Sequence, residues 1–263
     1  DHRFREGAIY LQDELTFERA QMVAGGRIDL HNVSENAATT RLGLAYWLIP
    51  KALRTRGSLG TGFKAPSLYQ TYSNYGSNTL RPERSIGFEI GLDFTLEDWS
   101  SEFTAFSNRF RDLVDFDAIN SRYFNQSRAE TYGAEWSLRR RFGRFQAENA
   151  FTILRALDPG TGLRLLRRPL FSDSVSLSIG REKKYGAAIT ARIVGEREDI
   201  HPQLYTRQTM PAFFTFGTNF FRSIGEGLRI TARGENLLDR RYQETSGFGT
   251  AGLSGYLGLE ADL

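Results

Sequence analysis

Residues 86–96 read IGFEIGLDFTL, and the period of two in this stretch decides the fold. Ile86, Phe88, Ile90, Leu92, Phe94 and Leu96 fall on one face of an extended chain. Gly87, Glu89, Gly91, Asp93 and Thr95 fall on the other, because successive strand side chains point to opposite sides. The same alternation returns at residues 22–30, 40–48, 175–179, 228–234 and 253–263. Residues 145–154 are ambiguous, and no segment of useful length carries a helical period. The chain reads as all-β and antiparallel, with about thirteen strands starting near residues 7, 20, 38, 52, 84, 99, 121, 143, 170, 183, 210, 226 and 251.

The connections alternate in length. Short turns are expected at 18–20, 50–51, 97–98, 142–143, Glu182–Lys183 and Ile224–Glu226. Long loops are expected at 31–37, 63–83, 156–169, 197–210 and 238–250, with the tip at 117–121 on the same side. Short turns at one end and long loops at the other mark an antiparallel transmembrane β-barrel of the bacterial outer membrane. A soluble sandwich or propeller also alternates, but it has no reason to gather its long loops at one end. In the barrel reading the long loops are extracellular and the last strand descends to the periplasm. An odd strand count that starts on a descending strand then implies barrel strands upstream of this chain.

Composition narrows the function. The chain has no cysteine, three histidines without metal-ligand spacing and a net charge of +3, which argues against thiolate metal sites and nucleic-acid partners. Residues 1–14 lack the apolar core of a secretory signal. The longest apolar run, Leu44–Ile49, is far short of the ~18 residues of a membrane helix. No nucleophile elbow, zincin motif or phosphate loop is present, so no enzyme, catalytic residue or cofactor is expected. Asp115 and Asp117 share a strand face; they suit a solvated tip better than a Ca²⁺ site. Trp47, Trp99 and Trp136 fall near the periplasmic strand ends, where an aromatic girdle belongs. Trp99 and Trp136 share the outward parity. Trp47 does not, so either a bulge intervenes or it points into the lumen.

Several stretches carry a family resemblance. GTGFKAPSLYQTY (60–72) is followed by a Tyr/Asn/Gly loop and then by LRPERS (80–85). SEFTAFSNRFRDLVDF (101–116), FNQSRAETYGAEWSL (124–138) and RGENLLDRRYQETSGFGTAG (233–252) follow in order. Together they resemble the barrel region of TonB-dependent outer-membrane receptors. Within that family, LLRRPLFSDSVSLSIG (165–180) and FGTAGLSGYLGLEADL (248–263) look most like vitamin B12 receptors. Leu253 stands where an Arg is common there, and Leu263 where a terminal aromatic is typical.

The resemblance implies a plugged barrel of about 22 strands, of which residues 1–263 are the C-terminal part, with the plug and N-terminal strands outside this chain. It implies import of a large scarce nutrient, cobalamin first. Ferric siderophore or haem, or a plugless passive pore or surface receptor, are the alternatives. Implied partners are outer-membrane lipid, the TonB energy-transducing complex acting through the plug, an N-terminal plug and barrel portion supplied in the same or a separate chain, and the ligand itself. In this reading ligand contacts come from Tyr69, Tyr72, Asn74, Tyr75 and Asn78, then from Tyr205, Arg207 and Phe248. Tyrosine offers a broad amphipathic surface to a large ligand. Arg54, Arg56, Glu89 and Asp93 are expected to line the lumen, and Glu83 and Arg84 to pair at the rim. Asn236 and Asp239 are expected to bond local backbone.

Overall fold

The structure is a computed structural model and describes residues 3–117, 120–181, 184–225 and 227–261. The expected turn at Glu182–Lys183, Glu226 of the next turn, residues 118–119 of the 117–121 tip, and Leu263 lie outside the described residues.

The strands are β1 (Glu6–Thr16), β2 (Ala20–His31), β3 (Ala37–Ile49), β4 (Leu53–Lys64), β5 (Glu83–Leu96), β6 (Trp99–Asp117), β7 (Arg122–Phe142), β8 (Phe145–Leu157), β9 (Phe171–Arg181), β10 (Tyr185–Val194), β11 (Arg197–Ile200), β12 (Arg207–Met210), β13 (Phe213–Ser223), β14 (Leu228–Glu235) and β15 (Ser254–Ala261). One short helix, α1 (Leu68–Tyr72), lies between β4 and β5. Among the described residues, thirteen strands form one sheet in the order β1 to β10 followed by β13, β14 and β15, while β11 and β12 form a separate pair. Every register resolved in both sheets is antiparallel, as between β1 and β2, where Ile9 faces Ile28. The thirteen sheet strands start within three residues of the sequence expectation. The ambiguous stretch at 145–154 is strand, paired Phe145 to Ile179 through Ile153 to Phe171.

Two segments depart from the expectation. The 63–83 loop contains α1, because Ser67 forms a capping box with Gln70: the Gln70 N–H donates to the Ser67 hydroxyl, and the Ser67 N–H donates to the Gln70 side chain. The 197–210 loop is a β-hairpin, in which Arg197 faces Met210 and Ile200 faces Arg207. A helix of five residues and strands of four are too short for periodicity to register.

The chain divides into two compact units. The first comprises Asp1–Asp93, Thr104–Gly133 and Ala156–Arg164; the second comprises Phe94–Phe103, Ala134–Arg155 and Leu165–Leu263. In the first, the apolar face of β5 is uncovered: Phe88 and Ile90 are each 50% exposed. Leu42 and Leu44 on β3 and Ile28 and Leu30 on β2 are exposed likewise. Charge takes the shelter instead, with Asp29 and Asp93 among the buried residues. A soluble domain does the reverse. An apolar surface of this extent needs a partner phase, and hydrocarbon fits the single-sided pattern.

The second unit repeats the pattern. Val175 and Leu177 on β9, Ile189 on β10 and Leu257 and Leu259 on β15 are exposed. Trp99 and Trp136 lie on the apolar face beside the short turns. Trp99 meets Phe94 edge-on at 5.4 Å, and the Trp136 indole N–H donates to the Ser101 hydroxyl at 2.8 Å. An indole with one apolar side and one bonded N–H suits an interface.

Trp47, in the first unit, takes the polar face. The β3–β4 register pairs Trp47 with Arg54 and shifts only between Trp47 and Ile49. The Arg54 guanidinium lies over the Trp47 ring at 5.6 Å. The bulge therefore exists, but it follows Trp47 and leaves it on the side of the arginines.

Candidate ligand-binding loops and the polar face

Ser67 caps α1, which carries Tyr69 and Tyr72. The chain then turns back on itself: the Ser77 N–H donates to the Gln70 carbonyl at 2.9 Å. Gly76 permits this close return, since a Cβ there would lie 2.7 Å from the Thr71 backbone. Tyr75 accepts the Tyr123 N–H on its carbonyl at 2.9 Å and packs edge-on against Phe116 at 6.0 Å. Tyr69 meets Tyr123 edge-on at 6.1 Å, and Phe116 meets Tyr123 at 5.1 Å. The loop and the tip between β6 and β7 thus share one aromatic cluster. Tyr69, Tyr72 and Tyr75 keep much of their surface in solvent, and Asn74 and Asn78 are exposed. These five predicted ligand residues are brought together on one loop.

The remaining three stand in the second unit. Tyr205 sits in the β11–β12 turn at φ +55 and is 82% exposed. Arg207 opens β12 and is exposed; Phe248 is exposed in a turn closed by Thr245.

Strand parity puts Arg54, Arg56, Glu89 and Asp93 on the polar face. Arg54 donates twice to one Asp93 oxygen at 2.9 and 2.6 Å, and Arg56 donates to the other at 3.0 Å and to the Thr104 hydroxyl at 2.6 Å. Asp93 thereby becomes a buried carboxylate with two cationic partners. Glu89 stays exposed, with Ser58 at 3.5 Å.

The rim contacts differ from the expected Glu83–Arg84 pair. Neighbours on a strand point to opposite sides, so the two residues find separate partners. Glu83 pairs with Lys64 at 3.2 Å and accepts the Val114 N–H at 3.1 Å, while Arg84 reaches Glu35 at 3.0 Å. Asn125 accepts the Arg81 N–H at 2.8 Å and donates to the carbonyls of Arg81 and Asp112. In the second unit Asn236 donates to the Arg240 and Ala251 carbonyls, and Asp239 accepts the Leu253 N–H. The motif residues therefore tie loops to strand ends.

Sequence reasoning missed the main polar cluster of the second unit. Asp199 of β11 has no exposed surface. It accepts hydrogen bonds from the Ile200 N–H at 2.9 Å, the Ser246 N–H at 2.7 Å and the Arg167 guanidinium at 2.9 Å. Burial opposes ionisation, but these donors outweigh it and hold the carboxyl below its usual range. Arg197 donates to the carbonyls of Gln243, Glu244 and Pro211 and lies over the Phe213 ring. Burial lowers its pKa against the pull of Glu244 and Asp199. The hairpin is thereby latched to residues 165–170 and 243–246. The Arg167-Arg168-Pro169 motif was the available signal, but nothing in it names Asp199.

Metal chemistry has one geometric opening among the described residues: ligand atoms of Glu6, Asp29 and His31 lie within 4.8 Å of one another. The β1–β2 register, which faces Glu6 to His31, creates it. Arg27 already binds both Asp29 oxygens at 2.7 to 3.0 Å, with Glu6 at 3.7 Å, so an internal cation balances the acids.

Exposed apolar strands, a charged sheltered face and long loops at one end define a β-barrel receptor or channel. No helix among the described residues is long and apolar enough to cross a membrane. The family model "TonB dependent receptor-like, beta-barrel" matches residues 1–256, and the chain belongs to this outer-membrane family. It is 26% identical over 237 residues to the vitamin B12 transporter BtuB of Vibrio cholerae, covering 89% of this chain and 38% of the relative. The siderophore receptor PirA from Acinetobacter baumannii superposes with TM-score 0.84 at 19% identity, over 98% of this chain and 46% of that one. A mutant ferric enterobactin receptor from Pseudomonas aeruginosa gives 0.85 at 16%, over 98% and 45%. The chain thus spans less than half the length of each of these relatives.

Proposed function

We propose that the chain forms part of the wall and ligand-collecting mouth of an outer-membrane active transporter, with cobalamin as its ligand. The likeness to the vitamin B12 transporter over 89% of the chain carries this reading. The exposed Tyr69, Tyr72 and Tyr75, with Asn74 and Asn78, offer aromatic faces and amides suited to a large amphipathic ligand. Tyr205, Arg207 and Phe248 extend the contact from later loops. The polar face, including Arg54, Arg56, Glu89 and Asp93, lines the lumen around a plug. Energy coupling belongs to that plug and the TonB complex, on residues beyond these strands.

A ferric siderophore is the second reading, favoured by the fold shared with the two siderophore-type receptors. Equilibrium binding to the detergent-extracted protein separates the two. Cyanocobalamin binding that weakens about tenfold or more in Tyr69→Ala/Tyr75→Ala, a loss above about 1.4 kcal/mol, supports cobalamin. Binding of ferric enterobactin alone moves the assignment to siderophores. Binding of neither, with steady conductance in planar bilayers, replaces transport with a passive pore.

A further inference from the structure

Within the first unit, the β1–β2 ladder gathers three side chains of metal-binding type on its polar face. Glu6 stands directly opposite His31, and Asp29 lies two residues before His31 on the same strand. Parity puts all three on the side away from the exposed Ile9, Ile28 and Leu30. Opposite residues of an antiparallel pair have Cβ atoms about 4.5–5.5 Å apart. Here an oxygen of each acid and an imidazole nitrogen all lie within 4.8 Å of one another. Glu6 is exposed and Asp29 is buried.

His31 is what sets this group apart from an ordinary acidic cluster. Both of its ring nitrogens are shut off from solvent, and neither has a hydrogen-bond partner among the described residues. A neutral imidazole carries one N–H donor and one lone pair, and sheltered polar atoms of this kind are normally satisfied. The ring is also firmly held. Phe4 and Phe63 flank it at 5.6 and 5.1 Å. The His31 backbone N–H donates to the Asn36 side chain at 3.0 Å. Asn32 donates to the Arg3 carbonyl and accepts the Arg5 N–H, both at 2.8 Å. These bonds fix the strand ends that carry Glu6 and His31.

Arg27 leaves room for a metal. It gives two hydrogen bonds to one Asp29 oxygen and one to the other, and stays 3.7 Å from Glu6. An ionised carboxylate has about four lone-pair sites, so the Asp29 oxygen that takes a single bond keeps a site for a cation. Arg27 is then the hydrogen-bonded support that a ligating carboxylate ordinarily has.

We propose that Glu6, Asp29 and His31 bind a divalent transition metal, with zinc the best fit, and that the metal clips β1 to β2 at the long-loop end of the wall. An imidazole with two carboxylates suits zinc, whereas calcium and magnesium favour oxygen donors alone. Donor atoms around a tetrahedral zinc stand about 3.4 Å apart, given bonds of ~2.0–2.1 Å. The three side chains therefore need to close by only about 1.5 Å. Water completes the fourth position, as in other three-ligand zinc sites. Spacing along the chain gives no sign of the site, because the strand register supplies Glu6. The inference is independent of which nutrient the loops collect.

The test uses the untagged protein extracted in dodecyl maltoside and stripped with EDTA. Zinc chloride is titrated against a chromogenic chelator, and retained metal is counted by plasma mass spectrometry after desalting. The unaltered protein is expected to retain about one zinc more per chain than Glu6→Gln or His31→Gln, and to bind it at least about tenfold more tightly. Equimolar calcium or magnesium should not displace it. Cobalt(II) gives a second reading: its visible absorption on the unaltered protein should be lost in His31→Gln. His201→Gln, in the second unit, should keep both properties. Heat-dependent gel migration checks that each variant is folded, and Glu6→Gln, at an exposed position, serves where His31→Gln disturbs packing. Equal zinc retention by the unaltered protein and both folded variants overturns the site. Displacement of zinc by equimolar calcium overturns the transition-metal assignment. Loss in His31→Gln with full retention in Glu6→Gln overturns the three-ligand set.

Discussion

Asp93 and Asp199 are both buried aspartates held by arginine, yet they are built differently. Asp93 lies near the short-turn end of β5 and takes both its arginines, Arg54 and Arg56, from β4, with Thr104 of β6 bonded in turn by Arg56. Asp199 lies in a loop hairpin and takes two backbone N–H groups and Arg167, the latter 32 residues away in sequence. The first group follows from strand parity, which puts all its members on one face. The second depends on three loop segments meeting, which no periodicity encodes. The difference has an energetic side. The arginines on Asp93 retain about a third of their side-chain surface, so they can turn to water. The N–H groups on Asp199 cannot.

Removing Asp199 is accordingly expected to have the largest effect. Asp199→Ala orphans the Ile200 and Ser246 N–H groups, each at about 1–3 kcal/mol. The loss should appear as protease cutting within 197–210 and 243–247 while the strands stay protected. Unchanged cutting would show that the latch is not what holds these loops. Parity itself is tested next. Ile90→Arg puts a charge on the lipid side and is expected to cost about 2–4 kcal/mol of membrane assembly, whereas Glu89→Arg on the polar side should cost far less. Equal assembly yields would undo the assignment of the two faces. Asp93→Ala, whose partners can rehydrate, is expected to cost about 1–2 kcal/mol, read as a lower urea midpoint of the extracted protein. A cost above that of Asp199→Ala reverses the comparison.

The smallest effect at neutral pH is in the titration. The Asp199 carboxyl is depressed, because its donors overcome the penalty of burial. Its contribution is complete above the ordinary carboxylate value, about pH 4, and is lost as pH falls through the lower folded value. Hydrogen exchange at Ser246 should thus stay flat from pH 8 to pH 5 after correction for intrinsic rates, and open only below about pH 4. Opening between pH 7 and 5 would assign control to another group.

How far the sequence reached depends on the region. The thirteen sheet strands, their faces and the outward tryptophans were legible, because alternation and turn spacing are local properties. The rim partners were not: Glu83 and Arg84 look paired in sequence, but adjacent strand residues face apart, and Lys64 and Glu35 take them. Among the candidate residues, the aromatic content of the 63–83 loop was legible. Its packing of Tyr69 and Tyr75 against Tyr123 and Phe116 was not, since that depends on the loop folding back through Gly76.

By itself, then, the sequence determined an antiparallel wall with one apolar and one polar face and long loops at one end, because a two-residue period commits every side chain to a side. Tertiary structure alone decided which charges meet across strands and loops. It folded α1 and the β11–β12 hairpin within segments too short to carry a period, buried Asp199 under a distant loop, and set Glu6 of β1 opposite His31 of β2. Those contacts arise where residues far apart in the chain converge, and spacing along one strand carries no record of its neighbour's register.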